Sequence, residues 1–171
     1  MSVTRDILQS YRRPRKVVRR RIGPDPREDR ALAYVMAACL VIYVAQWPRL
    51  SREAFLDGEI PLQALLGAAL LGWILIMPLI LYCLAGLIFV VARPLIKRGS
   101  AYETRVALFW GLLASTPLWS LYGLMAGFIG PGPALQGIGT VLLIVLLYLW
   151  SAGLREVFFG SVSLETPGAG S

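Results

Sequence analysis

LQALLGAALLGWILIMPLILYCLAGLIFVVA, residues 62–92, runs for 31 residues without one charged side chain. As a single α-helix rising about 1.5 Å per residue it would reach about 46 Å, well beyond a bilayer hydrocarbon core of about 30 Å. Two crossings would need about 20 residues each plus a turn, which the stretch cannot supply. Its one internal break is Pro78, and transmembrane helices tolerate proline as a kink. The stretch therefore reads as one long span, tilted or kinked, with a double crossing as the alternative.

Working outward from it, three further apolar segments stand on either side. Ala31 to Trp47 is entered at Arg30 and followed by Pro48-Arg49; Val106 to Ile129 is entered at Arg105 and carries Pro117; Ala134 to Leu154 ends at Arg155-Glu156. The last two are separated by Gly130-Pro131-Gly132-Pro133, which cannot continue a helix, so they form a tight antiparallel pair. With 57% hydrophobic and 16% charged residues in 171, the chain holds more apolar side chain than a soluble domain of this size buries. The predicted fold is all-α, a polytopic transmembrane helical bundle of four spans, or five if residues 62–92 cross twice. Its domains are a basic amphipathic arm at 1–30, a transmembrane domain at 31–160 (spans about 31–47, 62–92, 106–129 and 134–154), and a disordered tail at 161–171, whose small polar residues cannot build a core. The first apolar run starts behind a long mixed-charge arm and no small-residue cleavage pattern follows, so the first span is expected to remain in the mature chain.

Charge decides between the two crossing numbers. Of the net +7, residues 1–30 contribute +6, with ten Arg/Lys against four Asp/Glu. Four crossings place fifteen cations on the arm's side of the membrane and only Arg49 and Arg52 on the other; five crossings give ten against seven. Because basic loops are retained in the cytoplasm, four crossings with both termini cytoplasmic is the preferred topology.

In the arm, Val3, Ile7, Leu8, Tyr11, Pro14, Val17, Val18 and Ile22 share about half of a helical wheel. The cations lie outside that arc, and Pro14 is expected to break the segment near Arg13. Such a segment suits the membrane interface, with Arg12, Arg13, Arg15, Lys16, Arg19, Arg20 and Arg21 on anionic lipid headgroups. The plainer alternative is a topology signal. Nucleic acid is a poor partner for it, because its ordinary aromatic content is Tyr11 alone and the bilayer is the nearer polyanion.

The chain has no histidine, and none of its four apolar segments contains Asp, Glu, Lys or Arg. Ion-coupled carriers and proton pumps rely on such groups, and acid-base enzymes rely on positioned His or carboxylates. Ser115 and Ser120 have no base nearby in sequence and read as packing hydroxyls. Cys39 and Cys83, with no CxxC and no histidine companion, read as small buried apolar residues, so no metal or other cofactor is expected. Small residues recur at Ala64, Ala68 and Gly72, and again at Gly123 and Gly127, at the four-residue spacing that lets helices approach closely. They are expected to pack the four helices together, or to meet another integral membrane protein.

Three stretches together resemble the Yip family of polytopic membrane proteins: SYRRPRKVVRRR at 10–21, KRGSAYETRVALFWGLLASTPLW at 97–119, and LWSAGLREVF at 149–158. The first is similar to the family's opening proline and basic-apolar run. The second resembles the bacterial pattern of a basic-glycine turn, an aromatic and a proline-bearing helix, and the third the close of the fourth span. The family usually continues into a fifth span, whereas only 11 small or polar residues follow Gly160 here, which puts its exterior C-terminus in doubt. Eukaryotic members are linked to vesicle traffic and small GTPases, a partnership that a bacterial version need not inherit. The resemblance implies a bacterial inner-membrane location and carries over no catalytic residue. The expected function is a non-enzymatic membrane organiser or adaptor that binds anionic lipid and other membrane components. The alternatives are an accessory subunit of a large respiratory or photosynthetic complex, and a channel or carrier for an uncharged solute.

Overall fold

The computed structural model describes residues 3–23, 26–94 and 99–160, and every regular element among them is helical. The arm forms α1 (Val3–Arg12) and α2 (Pro14–Ile22). Four long rods follow: α3 (Glu28–Asp57); α4 (Leu62–Leu70), which runs through a π-helical turn (Leu71–Ile76) into α5 (Met77–Ala92); α6 (Ala101–Phe128); and α7 (Pro133–Phe159). Among the described residues four helices are long and apolar enough to cross a membrane, as in a multi-pass membrane protein.

The spans are longer than the apolar runs that announce them. α3 continues through Pro48 and stops only where Gly58 takes the left-handed conformation, φ +61°. α6 starts at Ala101, ahead of the expected Val106, because Ser100 and Glu103 form a reciprocal capping box: the Glu103 N–H donates to Ser100 Oγ at 3.1 Å, and the Ser100 N–H donates to Glu103 Oε2 at 3.1 Å. Residues 62–92 form one continuous rod, and its irregularity is the π turn that precedes Pro78. Proline offers no N–H, and its ring crowds the carbonyl four residues back. The helix widens there, and the Met77 N–H reaches Gly72 O, five residues back. Pro117 is accommodated differently. Thr116 Oγ1 donates to Leu113 O at 2.8 Å, supplying that carbonyl with the donor Pro117 lacks.

α6 is the axis of the bundle. Val106 to Thr116 are buried without interruption, so this half of the helix is covered on all sides, by α3, α5, α7 and the arm. Most of α6's apolar window is buried (67%), against 17% for the α4–α5 rod. Close crossing with α3 depends on glycine: a Cβ on Gly123 would fall 1.8 Å from Ala45 O, and one on Gly127 would fall 2.4 Å from Pro48 Cβ. α6 ends where Gly130 turns left-handed at φ +85°, and the Arg52 guanidinium lies against that turn.

The expected packing stripe on α4 is absent from this interior. Ala64 and Ala68 are exposed, Gly72 is half-exposed, and a Cβ on Gly72 would meet nothing within 4 Å. The rod leans on the bundle through buried Leu81 and Ala85 and through aromatic contacts instead, with Trp73 edge-on to Trp119 at 5.6 Å and Tyr82 against Phe109 at 4.9 Å. Only one cysteine behaves as expected: Cys39 is fully buried, whereas Cys83 is exposed on the rod. Residues 161–171 and the cations Lys97 and Arg98 lie outside the described residues.

Candidate functional site

The arm departs from the expected surface helix. Arg13 leaves helical geometry at φ −141°, ψ 63°, and Pro14 takes the first helical position of α2, where a missing N–H costs nothing. α1 and α2 thus form a helical hairpin. Lipid does not cover its apolar side; α6 and α7 do. Pro14, Val17 and Val18 are buried, and the two valines belong to the central hydrophobic cluster. The wheel arc splits accordingly, with Leu8 left 75% exposed.

Side-chain bonds fix the hairpin's depth. Near its base the Tyr102 hydroxyl meets Ile22 O at 3.5 Å. Toward its tip, Trp110 Nε1 donates to Ser10 Oγ at 3.0 Å, Ser10 Oγ donates to Asp6 O at 2.8 Å, and Tyr11 Oη donates to Ala114 O at 2.9 Å. Burial pushes the Tyr11 phenol above its ordinary pKa, which keeps this donor protonated. α2 therefore descends antiparallel to α6. The tip stands beside Ala114, nine residues past Arg105, which is about 13 Å along the apolar stretch of α6.

The seven cations predicted to touch lipid fall into two groups. Arg19, Arg20 and Arg21 are committed to the fold. Arg20 and Arg21 both pair with Asp6, which is only 5% exposed, and the Arg21 guanidinium lies 4.4 Å from the Trp110 ring centroid. Arg19 Nη1 pairs with Glu156 of α7 at 3.0 Å. By contrast, Arg12, Arg13, Arg15 and Lys16 gather at the tip, all exposed, and form no ion pair among the described residues.

These four line one side of an open cleft of about 380 Å³, and Tyr148, Ser151, Ala152 and Arg155 of α7 line the other. Five cations thus face one cavity with no carboxylate on its wall. The first turn of α2 opens beside it without a side-chain cap, adding backbone N–H groups and the positive end of a helix dipole. Arg155 was not foreseen as a member; its position after an apolar span marked it only as a flanking charge. Of the residues expected to pack helices, Gly123 and Gly127 sit at the α3–α6 crossing, far from the cleft in sequence, and Ala64, Ala68 and Gly72 lie on the open rod.

Among the described residues no group of three or more His, Cys, Asp or Glu could hold a metal ion. Comparison with family models, curated proteins and solved structures gave no match to this chain.

Proposed function

We propose that this chain is a non-enzymatic membrane organiser whose hairpin tip binds the phosphate groups of anionic lipids on the cytoplasmic face. The observation that carries this reading is the convergence of Arg12, Arg13, Arg15, Lys16 and Arg155 on one carboxylate-free cleft. Gathering five cations with no carboxylate among them costs self-repulsion. A phosphate drawn into the cleft offsets that cost. The predominance of basic residues on the arm's side of the spans supports a cytoplasmic arm, and the likeness of residues 97–119 and 149–158 to bacterial Yip proteins supports an inner-membrane location.

The test is retention of native lipid. The full chain is extracted in mild detergent and its bound phospholipid is measured by mass spectrometry, beside a variant carrying R12Q, R13Q, R15Q and K16Q. Enrichment of anionic over zwitterionic lipid in the parent and its loss in the variant is the expected result. Equal lipid content in both overturns the reading.

A second reading, accessory subunit of a larger membrane complex, is favoured by the α4–α5 rod. Its small-residue stripe at Ala64, Ala68 and Gly72 is open, and its apolar window is mostly unburied. Stoichiometric co-purification of one complex, lost on A64L and A68L substitution, would establish it; a monodisperse chain carrying only lipid would remove it.

A further inference from the structure

The Arg12–Arg13 corner has two sides. The cleft toward α7 holds Arg15, Lys16 and Arg155 in addition to this pair. On the other side lies a second open hollow of about 720 Å³, lined by the same Arg12 and Arg13 together with Arg5, Leu8, Gln9 and Tyr11 of α1. Neither wall carries a carboxylate, and Arg5 forms no ion pair among the described residues. Asp6, the nearest acid in sequence, is turned inward onto Arg20 and Arg21. Two cationic hollows therefore share one ridge of two arginines, and arginine's planar fork can serve phosphates on either side of it.

We infer that the ridge is built for a lipid bearing two phosphates on one headgroup, of the diphosphatidylglycerol type, with one phosphate in each hollow and the linking glycerol across Arg12–Arg13. This rests on the lipid-binding reading above and names the lipid. A single-phosphate lipid would satisfy one hollow and leave the other unneutralised. Joining the phosphates makes the second contact intramolecular, which raises affinity without any new type of contact. The occupant is a lipid and not a soluble phosphate because the tip lies beside Ala114, along the apolar stretch of α6, with exposed Leu8 forming part of the second hollow's wall. Acyl chains can lie against that surface, where a free anion would have to leave water.

The experiment titrates the full chain in detergent with diphosphatidylglycerol, phosphatidylglycerol and phosphatidylcholine, reading bound lipid by native mass spectrometry at matched phosphate concentration. The expected preference for the two-phosphate lipid over phosphatidylglycerol is at least about tenfold. R5Q, which touches only the second hollow, should bring that preference to within about twofold; R155Q, in the first, should weaken both lipids. Both side chains are exposed, and circular dichroism checks that the helices survive. Equal affinity per phosphate for the two anionic lipids, or a preference that persists in R5Q, overturns the two-hollow inference and leaves the lipid reading standing. Binding of phosphatidylcholine as tight as either anionic lipid overturns both. Displacement of the lipid by inorganic pyrophosphate at equal concentration overturns the assignment to a lipid.

Discussion

The base and the tip of the hairpin are made of the same material and put it to opposite uses. At the base, Arg20 and Arg21 close on Asp6, Arg21 also covers Trp110, and Arg19 reaches Glu156, so positive charge there holds the arm to the bundle. At the tip, Arg12, Arg13, Arg15 and Lys16 hold nothing of the protein and face an open cleft. What separates the two groups is one buried carboxylate and one carboxylate on α7, placed within reach of the base and out of reach of the tip. If the tip binds lipid as proposed, partnered cations carry stability and unpartnered ones carry affinity, and substitutions at the two ends should be separable in those two measurements.

The largest effect is expected at the tip. Each Lys or Arg near an anionic surface contributes about 1 kcal/mol, so replacing the four tip cations by Gln should weaken anionic-lipid binding by about 4 kcal/mol, roughly a thousandfold. Because they touch no partner, thermal unfolding in detergent should move by less than about 0.5 kcal/mol. A large drop in stability would show that the tip also holds the fold. Next in size, Asp6→Asn leaves two guanidiniums facing each other against the core and should cost about 3 kcal/mol of stability. Limited trypsin digestion would register the loosened hairpin as faster cleavage, and unchanged digestion would show that Asp6 does not hold the base. Trp110→Phe removes the N–H that holds Ser10, shrinks a fully packed ring and weakens the face under Arg21, a combined cost of about 2 kcal/mol.

Much of this architecture could be read from residues alone, for identifiable reasons. Spans declare themselves by length and apolarity, and Pro14 announces the hairpin's break because proline suits the first turn of a helix and costs a backbone hydrogen bond in later ones. The arm's docking was hidden. An amphipathic arc specifies that one side must leave water, but it does not say whether lipid or protein will cover it. The clue lay in the covering helix: Thr104, Ser115 and Thr116, with Ala107, Gly111 and Ala114 between them, make an α6 unusually small and hydroxylated for a lipid-facing surface, and Gly111 leaves room for Trp150. The Ser100–Glu103 box was likewise present in the sequence as a helix start five residues ahead of the apolar run. The cleft itself was not legible, since Arg155 stands 139 positions from Lys16 and only the hairpin's fold-back brings them to one cavity.

Glu156 sits where the two uses meet, and it yields the smallest but most discriminating outcome. Its carboxylate pairs with Arg19, whose side chain is 45% exposed, so Glu156→Gln should cost no more than about 0.5 kcal/mol of stability, and less in high salt. The same substitution removes a negative charge next in sequence to Arg155, which lines the cleft, and a unit charge at surface dielectric is worth about 0.5 kcal/mol. Anionic-lipid affinity should therefore rise by about twofold while unfolding shifts slightly downward. The two measurements move in opposite directions only if base and tip are electrostatically distinct parts of one hairpin. A fall in both would make Glu156 a structural anchor of the cleft itself, and the division between a binding tip and a holding base would have to be redrawn at Arg19.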